Sequence, residues 1–141
     1  MKAQAPRSLR PAATLLLLAL CLHNAEEWLT FGAYRDRSAA TLTALLGRPI
    51  VVPSAATFHA LLVAATLVGA GVAVGAGVGR ASEAKRRLLS VFAFVLLVNI
   101  AVPHVPAAML MGGYAPGVVT AVLINLPISL WALRRLSRTP S

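Results

Sequence analysis

A histidine and two carboxylates stand close together inside an apolar segment, in the stretch His23-Asn24-Ala25-Glu26-Glu27. Residues three and four positions apart lie on one face of a helix, so His23 can meet either glutamate. Charged side chains are costly at membrane depth and normally face a bundle interior or a partner. Two adjacent carboxylates in a low dielectric cannot both stay ionised unless a cation or a proton neutralises them. The stretch therefore predicts a buried site for a cation or a proton.

Imidazole and carboxylate groups together suit zinc, iron, manganese or nickel. The chain has two further histidines, His59 and His104. Three protein ligands with an open fourth position are typical of catalytic zinc, and a glutamate beside such a site can act as a base. We therefore predict a divalent metal, with zinc or iron preferred. The predicted ligands are His23, Glu26, Glu27, His59 and His104, and Glu26 or Glu27 is the predicted catalytic base.

Two other interpretations of these residues remain open. In the first, they form a buried hydrogen-bonded cluster, in which Glu26 or Glu27 pairs with His59, His104 or Arg35. In the second, they line a path for protons or ions, as intramembrane carboxylates and histidines often do.

Composition predicts the elements that carry these residues. The chain has 141 residues, of which 58% are hydrophobic and only 12% are charged, which excludes an ordinary soluble domain. A spanning helix needs about 20 mostly apolar residues. We predict a single all-α membrane domain over residues 1–141, a polytopic bundle of about four transmembrane helices. The predicted spans run roughly from Pro11 to Phe31, Ser54 to Gly77, Leu88 to Met111 and Tyr114 to Leu133.

These spans place the candidate ligands at similar depth. At about 1.5 Å per residue, His23 lies about 12 Å from the outer end of its span, and Glu26 and Glu27 lie about 7 Å from it. His59 and His104 lie about 8 Å and about 9 Å from the outer ends of theirs. We therefore expect one layer of polar side chains in the outer half of the bilayer.

The distribution of basic residues predicts the orientation. Of the 13 lysines and arginines, only Arg35, Arg37 and Arg48 fall on one side of the four predicted spans. The other ten lie in the N-terminal tail, the second loop and the C-terminal tail, which places both termini in the cytoplasm of a bacterial plasma membrane. The net charge of +9 thus reflects topology, and we expect membrane lipids and no nucleic acid as partners. No Ala-x-Ala site follows the first apolar run, which favours a retained span over a signal peptide.

Three local patterns refine this prediction. Residues 37–46, before Gly47, fit a short interfacial helix outside the first span. Gly71 and Gly75 permit close helix contact, which we place inside the monomer, with a homo-oligomer as the alternative. Pro103 and Pro106 either bend the third helix beside His104 or end it.

The His23–Glu27 stretch resembles the defining motif of the HXXEE family of small bacterial integral membrane proteins. Asn99, His104 and residues 113–121, which read GYAPGVVTA, are similar to the second half of that family. The resemblance covers nearly all of residues 15–133 and implies no established activity. His59 lies outside the segments that carry it.

The sequence thus leaves two classes of function. The first is a membrane-embedded metal-binding protein, a metal-dependent hydrolase of a lipid-like substrate taken from the outer leaflet. The second is a non-enzymatic small transporter or accessory membrane protein, in which the same cluster binds an ion or relays protons.

Overall fold

The computed structural model describes residues 8–137 as four helices that run alternately up and down. They are α1 (Arg10–Leu46), α2 (Ala55–Gly77), α3 (Glu83–Leu110) and α4 (Val118–Ser137). Helix α1 packs along α2, α3 packs along α4, and α1 also contacts α3 and α4. No strand occurs within residues 8–137, so the all-α bundle predicted from the sequence is confirmed.

Local sequence signals set the helix ends. Ser54 and Ser82 cap α2 and α3, each accepting a hydrogen bond from the backbone N–H three residues later, at 3.1 Å and 3.3 Å. Pro11 stands in the first turn of α1, where a missing N–H costs nothing. Gly47 ends α1 in the left-handed conformation, with φ at 64°.

Helix α1 is longer than the first predicted span. It has 37 residues and is therefore about 55 Å long. The prediction of a separate interfacial helix over residues 37–46 was wrong, because α1 continues through these residues without a break and ends only at Gly47. The turns of α1 beyond Phe31 extend past the predicted end of the span. There, the Arg37 guanidinium donates to the backbone carbonyl of Met111, just after α3.

Helices α3 and α4 each contain one π-helical turn, at Ile100–His104 and at Ala121–Asn125. Pro103 lies inside the first turn, and Pro127 follows the second. A proline lacks the N–H for the usual hydrogen bond and crowds the preceding turn, and a wider π-turn accommodates both effects. Helix α3 continues to Leu110, so the prolines distort it rather than end it.

Two apolar clusters fill the bundle, one towards each end. The larger cluster lies towards the end that carries both described chain ends, and it includes Leu16, Leu89, Ala93, Leu96, Ala132 and Leu136. The smaller contains Ala108, Met111 and Ala115, with Tyr34 against it. The polar residues of the candidate site form a layer between the two clusters.

The glycines of α2 that make close helix contacts are not the two that the sequence analysis predicted. A side-chain carbon on Gly71 or Gly75 would meet nothing within 4 Å, so these glycines do not serve contact inside the monomer as predicted. Gly69 and Gly77 do, because Gly69 faces Leu20 and Phe92, and Gly77 faces Ala13. The close approach lies on the face of α2 that is turned towards α1 and α3.

The surface of the bundle suits lipid. Within residues 8–137, α2, α3 and α4 are long and apolar enough to cross a membrane. Many large apolar side chains point outward, including Leu29 at 80% and Leu123 at 70% exposure. These features indicate a membrane protein. Helix α1 is long enough as well, but His23, Asn24, Glu26 and Glu27 reduce the hydropathy of its middle.

Basic residues gather at the end of the bundle that holds the start of α1 and the end of α4. Arg86 of α3 donates to the carbonyl of Leu136 at 3.0 Å, and Arg135 of α4 donates to the carbonyl of Ser8. Lys2, Arg7 and Arg138, which also entered the predicted orientation, lie outside the described residues.

Candidate metal centre

His104 lies in the π-turn of α3 and is almost fully buried. Its Nδ1 is 2.8 Å from the carbonyl oxygen of Pro116, in the loop before α4. A carbonyl oxygen can only accept, so Nδ1 carries the proton and donates it. In the neutral ring, Nε2 then has a free lone pair, and this atom faces the interior of the bundle.

His23 is held in the same tautomer by a chain of two hydrogen bonds. The Thr120 hydroxyl donates to Glu26 Oε2 at 2.6 Å, because a carboxylate can only accept. Thr120 Oγ1 must therefore accept the 3.1 Å hydrogen bond from His23 Nδ1. His23 Nε2 is left with its lone pair, and the ring is 1% exposed.

The two Nε2 atoms and the carboxylate of Glu27 face one common space. Glu27 Oε2 lies 3.7 Å from His23 Nε2, and Oε1 lies 3.7 Å from His104 Nε2. The two imidazole rings meet edge to face, with centroids 4.5 Å apart. One potential ligand atom from each of the three residues lies within 4.8 Å of the other two. This arrangement could hold a metal ion.

Asn99 completes the group from the last turn before the π-turn of α3. Its Nδ2 lies 3.0 Å from His23 Nε2 and 3.1 Å from His104 Nε2. An amide nitrogen has two hydrogens, so it can donate one to each imidazole. The amide therefore satisfies both lone pairs when no cation is bound.

Glu26 has a different environment from its neighbour. Oε1 accepts from the Tyr114 hydroxyl at 2.9 Å and from the Val119 N–H at 3.2 Å. Oε2 accepts from the Thr120 N–H at 2.7 Å and from the Thr120 hydroxyl. A carboxylate offers about four acceptor positions, so those of Glu26 are all used. The two N–H groups belong to the first turn of α4, and Glu26 acts as the cap of that helix.

Gly117 lets the start of α4 approach the group closely. Its φ is +82°, a conformation that side chains other than glycine rarely adopt. A side-chain carbon there would lie 2.8 Å from Glu27 Cγ, His23 Cε1 and His104 Cε1. The absent side chain is thus a requirement of the site.

The sequence profile of a family described as a protein of unknown function with HXXEE motif matches residues 14–132 of the chain. The chain belongs to the HXXEE family. The resemblance noted from the sequence is therefore confirmed, and the motif positions are His23, Glu26 and Glu27. No curated protein and no solved structure matches the chain.

The geometry shows how the HXXEE motif uses helical spacing. His23, Glu26 and Glu27 lie on the face of α1 that is turned towards α3 and α4, as the spacing predicted. Asn24, at one of the two unspecified positions of the motif, points to α2, where its amide donates to Thr66 Oγ1 at 2.7 Å and to the Leu62 carbonyl. The stretch thus fixes α1 against all three other helices.

The structure does not bring His59 to the group. Its ring stacks on Trp28 at 3.8 Å between centroids, and its Nε2 lies 3.2 Å from the Trp28 carbonyl oxygen. Helix α2 contacts mainly α1 and α3, whereas the group lies where α1 meets α3 and α4, so His59 has a suitable depth but does not face the group. Arg35, an alternative partner for the glutamates, instead contacts Asp36 and the carbonyl of Pro53.

The sequence interpretation understated three residues. Asn99, Thr120 and Gly117 entered it only as parts of the segments similar to the HXXEE family, with no role predicted for them. Their presence in the segments that resemble the HXXEE family was the available signal, since those segments lie far from the motif along the chain.

Proposed function

We propose that the protein is a membrane-embedded metal-binding protein whose ligands are His23, Glu27 and His104. One observation carries the proposal: both imidazole N–H groups are directed away from the group, so two nitrogen lone pairs and a carboxylate converge. Such an electron-rich space attracts a cation. Two histidines and one glutamate, with a fourth position open, are the donor set of several catalytic zinc sites.

The distances support a small divalent ion. Ligand atoms that bind zinc tetrahedrally at about 2.0–2.1 Å lie about 3.3–3.4 Å from one another. The two 3.7 Å separations join His23 and His104 to different oxygens of Glu27, and one ligand atom from each residue lies within 4.8 Å of the other two. The side chains would therefore have to move together by about 1 Å to bind one ion. The hydrogen bonds from each Nδ1 to Thr120 and Pro116 are of the kind that orient metal-ligating histidines. Iron is the second choice, since imidazole and carboxylate suit it too.

We further propose that the protein is a hydrolase of a lipid-like substrate. A divalent metal at such a site polarises a carbonyl or phosphoryl oxygen. If a metal occupied the imidazole lone pairs, the Asn99 amide would be free to donate to a substrate oxygen. Glu26 does not fit the role of base or ligand, because its acceptor positions are occupied. Glu27 is then the carboxylate of the motif that can bind the metal.

A groove on the surface supports a lipid-like substrate. It lies between α2 and α3, has a volume of about 550 Å³ and is lined by apolar side chains. Leu20 and Leu96 form part of its wall, and each precedes a residue of the site, His23 and Asn99, by three positions. A chain of an outer-leaflet lipid in this groove would have its polar end near the level of the site.

The enzyme proposal is tested with purified protein in nanodiscs of defined phospholipid, loaded with zinc. We expect release of a fatty acid or a headgroup fragment, detected by mass spectrometry. The Glu27→Gln variant should lose this product, whereas His59→Gln, which alters a histidine outside the group, should retain it. Metal binding without any lipid product across the common membrane phospholipids would count against the enzyme and leave the metal site intact.

The alternative is a non-enzymatic membrane protein. The Asn99 amide favours it, because its contacts to both Nε2 atoms at 3.0 Å and 3.1 Å complete a hydrogen-bonded cluster without a metal. In that case the layer would fix the helices or bind a proton. Zinc affinity no stronger than that of the His104→Ala variant would support this reading.

A further inference from the structure

Two polar side chains deep in the bundle have no hydrogen-bond partner within residues 8–137. Among the described residues, the buried side-chain atoms without a hydrogen bond are Asn125 Nδ2, Asn125 Oδ1 and Ser129 Oγ. Both residues are 0% exposed. An unsatisfied buried polar group costs about 1–3 kcal/mol, and folded proteins rarely tolerate several together.

These residues lie directly inward of the candidate metal centre along α4. Asn125 ends the π-turn, five positions after Thr120, which contacts both His23 and Glu26. Residues five positions apart across a π-turn lie near the same face of a helix, so Asn125 lies on the same face as Thr120, about one turn deeper in the bundle. Ser129 follows by four residues, one further turn on the same face. The π-turn of α4 also contacts α1 and the π-turn of α3 that carries His104.

An apolar layer lies on the inner side of this pair. Leu16, Leu89 and Ala132 are each 0% exposed and belong to the larger apolar cluster. Leu136 continues this layer one turn further along α4. The polar positions therefore extend the site inward by about two turns and stop before the basic end of the bundle.

We propose that Asn125 and Ser129 bind ordered water, which forms an inner extension of the candidate metal centre. Water suits the pair, because an asparagine amide both donates and accepts and a hydroxyl does the same. Buried water usually makes about three hydrogen bonds to such groups. Neither residue carries charge, which makes a tightly held metal ion a poor occupant. The proposal that water binds here depends only on Asn125 and Ser129. A role of that water in a reaction rests on the proposed function.

This arrangement separates the site from the basic end. Along the bundle, a water held by Asn125 would lie between the site and the apolar layer of Leu16, Leu89 and Ala132. The bound water would thus adjoin the site and would not form a polar path through the whole bundle.

The test uses the small number of asparagines. The chain has three, Asn24, Asn99 and Asn125, so labelling with ¹⁵N-asparagine gives three side-chain amide signals in solid-state NMR of the metal-free protein in lipid. We expect transfer of magnetisation from water to the Asn125 amide, assigned by its loss in Asn125→Leu. Asn24 is the internal control, because its amide donates to Thr66 and to the Leu62 carbonyl.

Two outcomes decide the proposal. Ser129→Ala should reduce the water transfer at Asn125 by at least half while leaving the Asn24 signal unchanged. If the wild-type Asn125 amide shows no more transfer than Asn24, the proposal is overturned. If Asn125→Leu does not fold, the Asn125 signal is assigned as the one that remains in both Asn24→Ala and Asn99→Ala. Because the measurement needs no metal and no substrate, its failure is distinct from a failure of the proposed function, which zinc affinity reports.

Discussion

The two neighbouring glutamates of the HXXEE motif have separate tasks, and substitution should distinguish them. Glu27→Gln removes the only charged group among the proposed ligands, so we expect zinc affinity to fall by roughly 100-fold or more, with little loss of thermal stability. Glu26→Gln keeps the size of the side chain but weakens the cap of α4. We expect it to cost about 1–2 kcal/mol of stability and to retain stoichiometric zinc.

Isothermal titration with zinc and thermal melting of both variants in the same detergent make this comparison. Equal losses of zinc affinity in the two variants would contradict the division of tasks, because Glu26 has no acceptor position left for a metal.

The protonation pattern of the imidazoles is a second property of single residues. We expect both His23 and His104 to be the Nδ1–H tautomer in metal-free protein at neutral pH, because Nδ1 of each has an acceptor. ¹⁵N-histidine labelling gives three ring systems, and His59, which stacks on Trp28, is the reference outside the group. A ¹⁵N spectrum showing His104 as the Nε2–H tautomer would refute the geometry from which the metal site is argued.

At the scale of the helices, the close approach of α4 to α1 depends on Gly117. We expect Gly117→Ala to destabilise the protein by about 1–2 kcal/mol from the left-handed backbone alone, with further loss from the three contacts at 2.8 Å. Zinc binding should fall with it, since Glu27 and both imidazoles must move. Thermal melting and zinc titration measure the two effects.

Gly71→Ala in α2 is the matched control. A side-chain carbon there meets nothing within 4 Å, and alanine is favoured over glycine in a helix by about 1 kcal/mol. This variant should be neutral or slightly more stable. A Gly117→Ala protein as stable as Gly71→Ala would show that α4 does not need its close approach.

The sequence predicted the helices better than their interior. Apolar runs give the segments and their order, and the spacing of His23, Glu26 and Glu27 gives one shared face. Depth along a helix follows from counting, which is why His59 and His104 were both predicted as ligands. The direction in which each helix turns its face depends on packing between distant segments, so counting cannot separate the two histidines. Likewise, the π-turn that contains His104 and the one that follows Thr120 arise where prolines meet tertiary contacts.

For the molecule as a whole, we propose four membrane spans with both termini in the cytoplasm. The structure brings the basic residues at the start of α1, in the second loop and at the end of α4 to one end of the bundle. Reporter fusions at Ser141 and in the loop at Arg48 should therefore report opposite sides of the membrane. The same side for both would contradict four spans, because it would leave an even number of spans between Arg48 and Ser141 in place of α2, α3 and α4.

The central claim is that His23, Glu27 and His104 hold one divalent metal. Its most direct test is the metal content of protein purified without chelator and then dialysed against a defined trace of zinc, measured by elemental mass spectrometry. The account predicts about one zinc per chain in the wild type and in His59→Ala, and a small fraction of that in His23→Ala and in His104→Ala. Metal content that is the same in all four proteins, or that falls only in His59→Ala, would contradict the account.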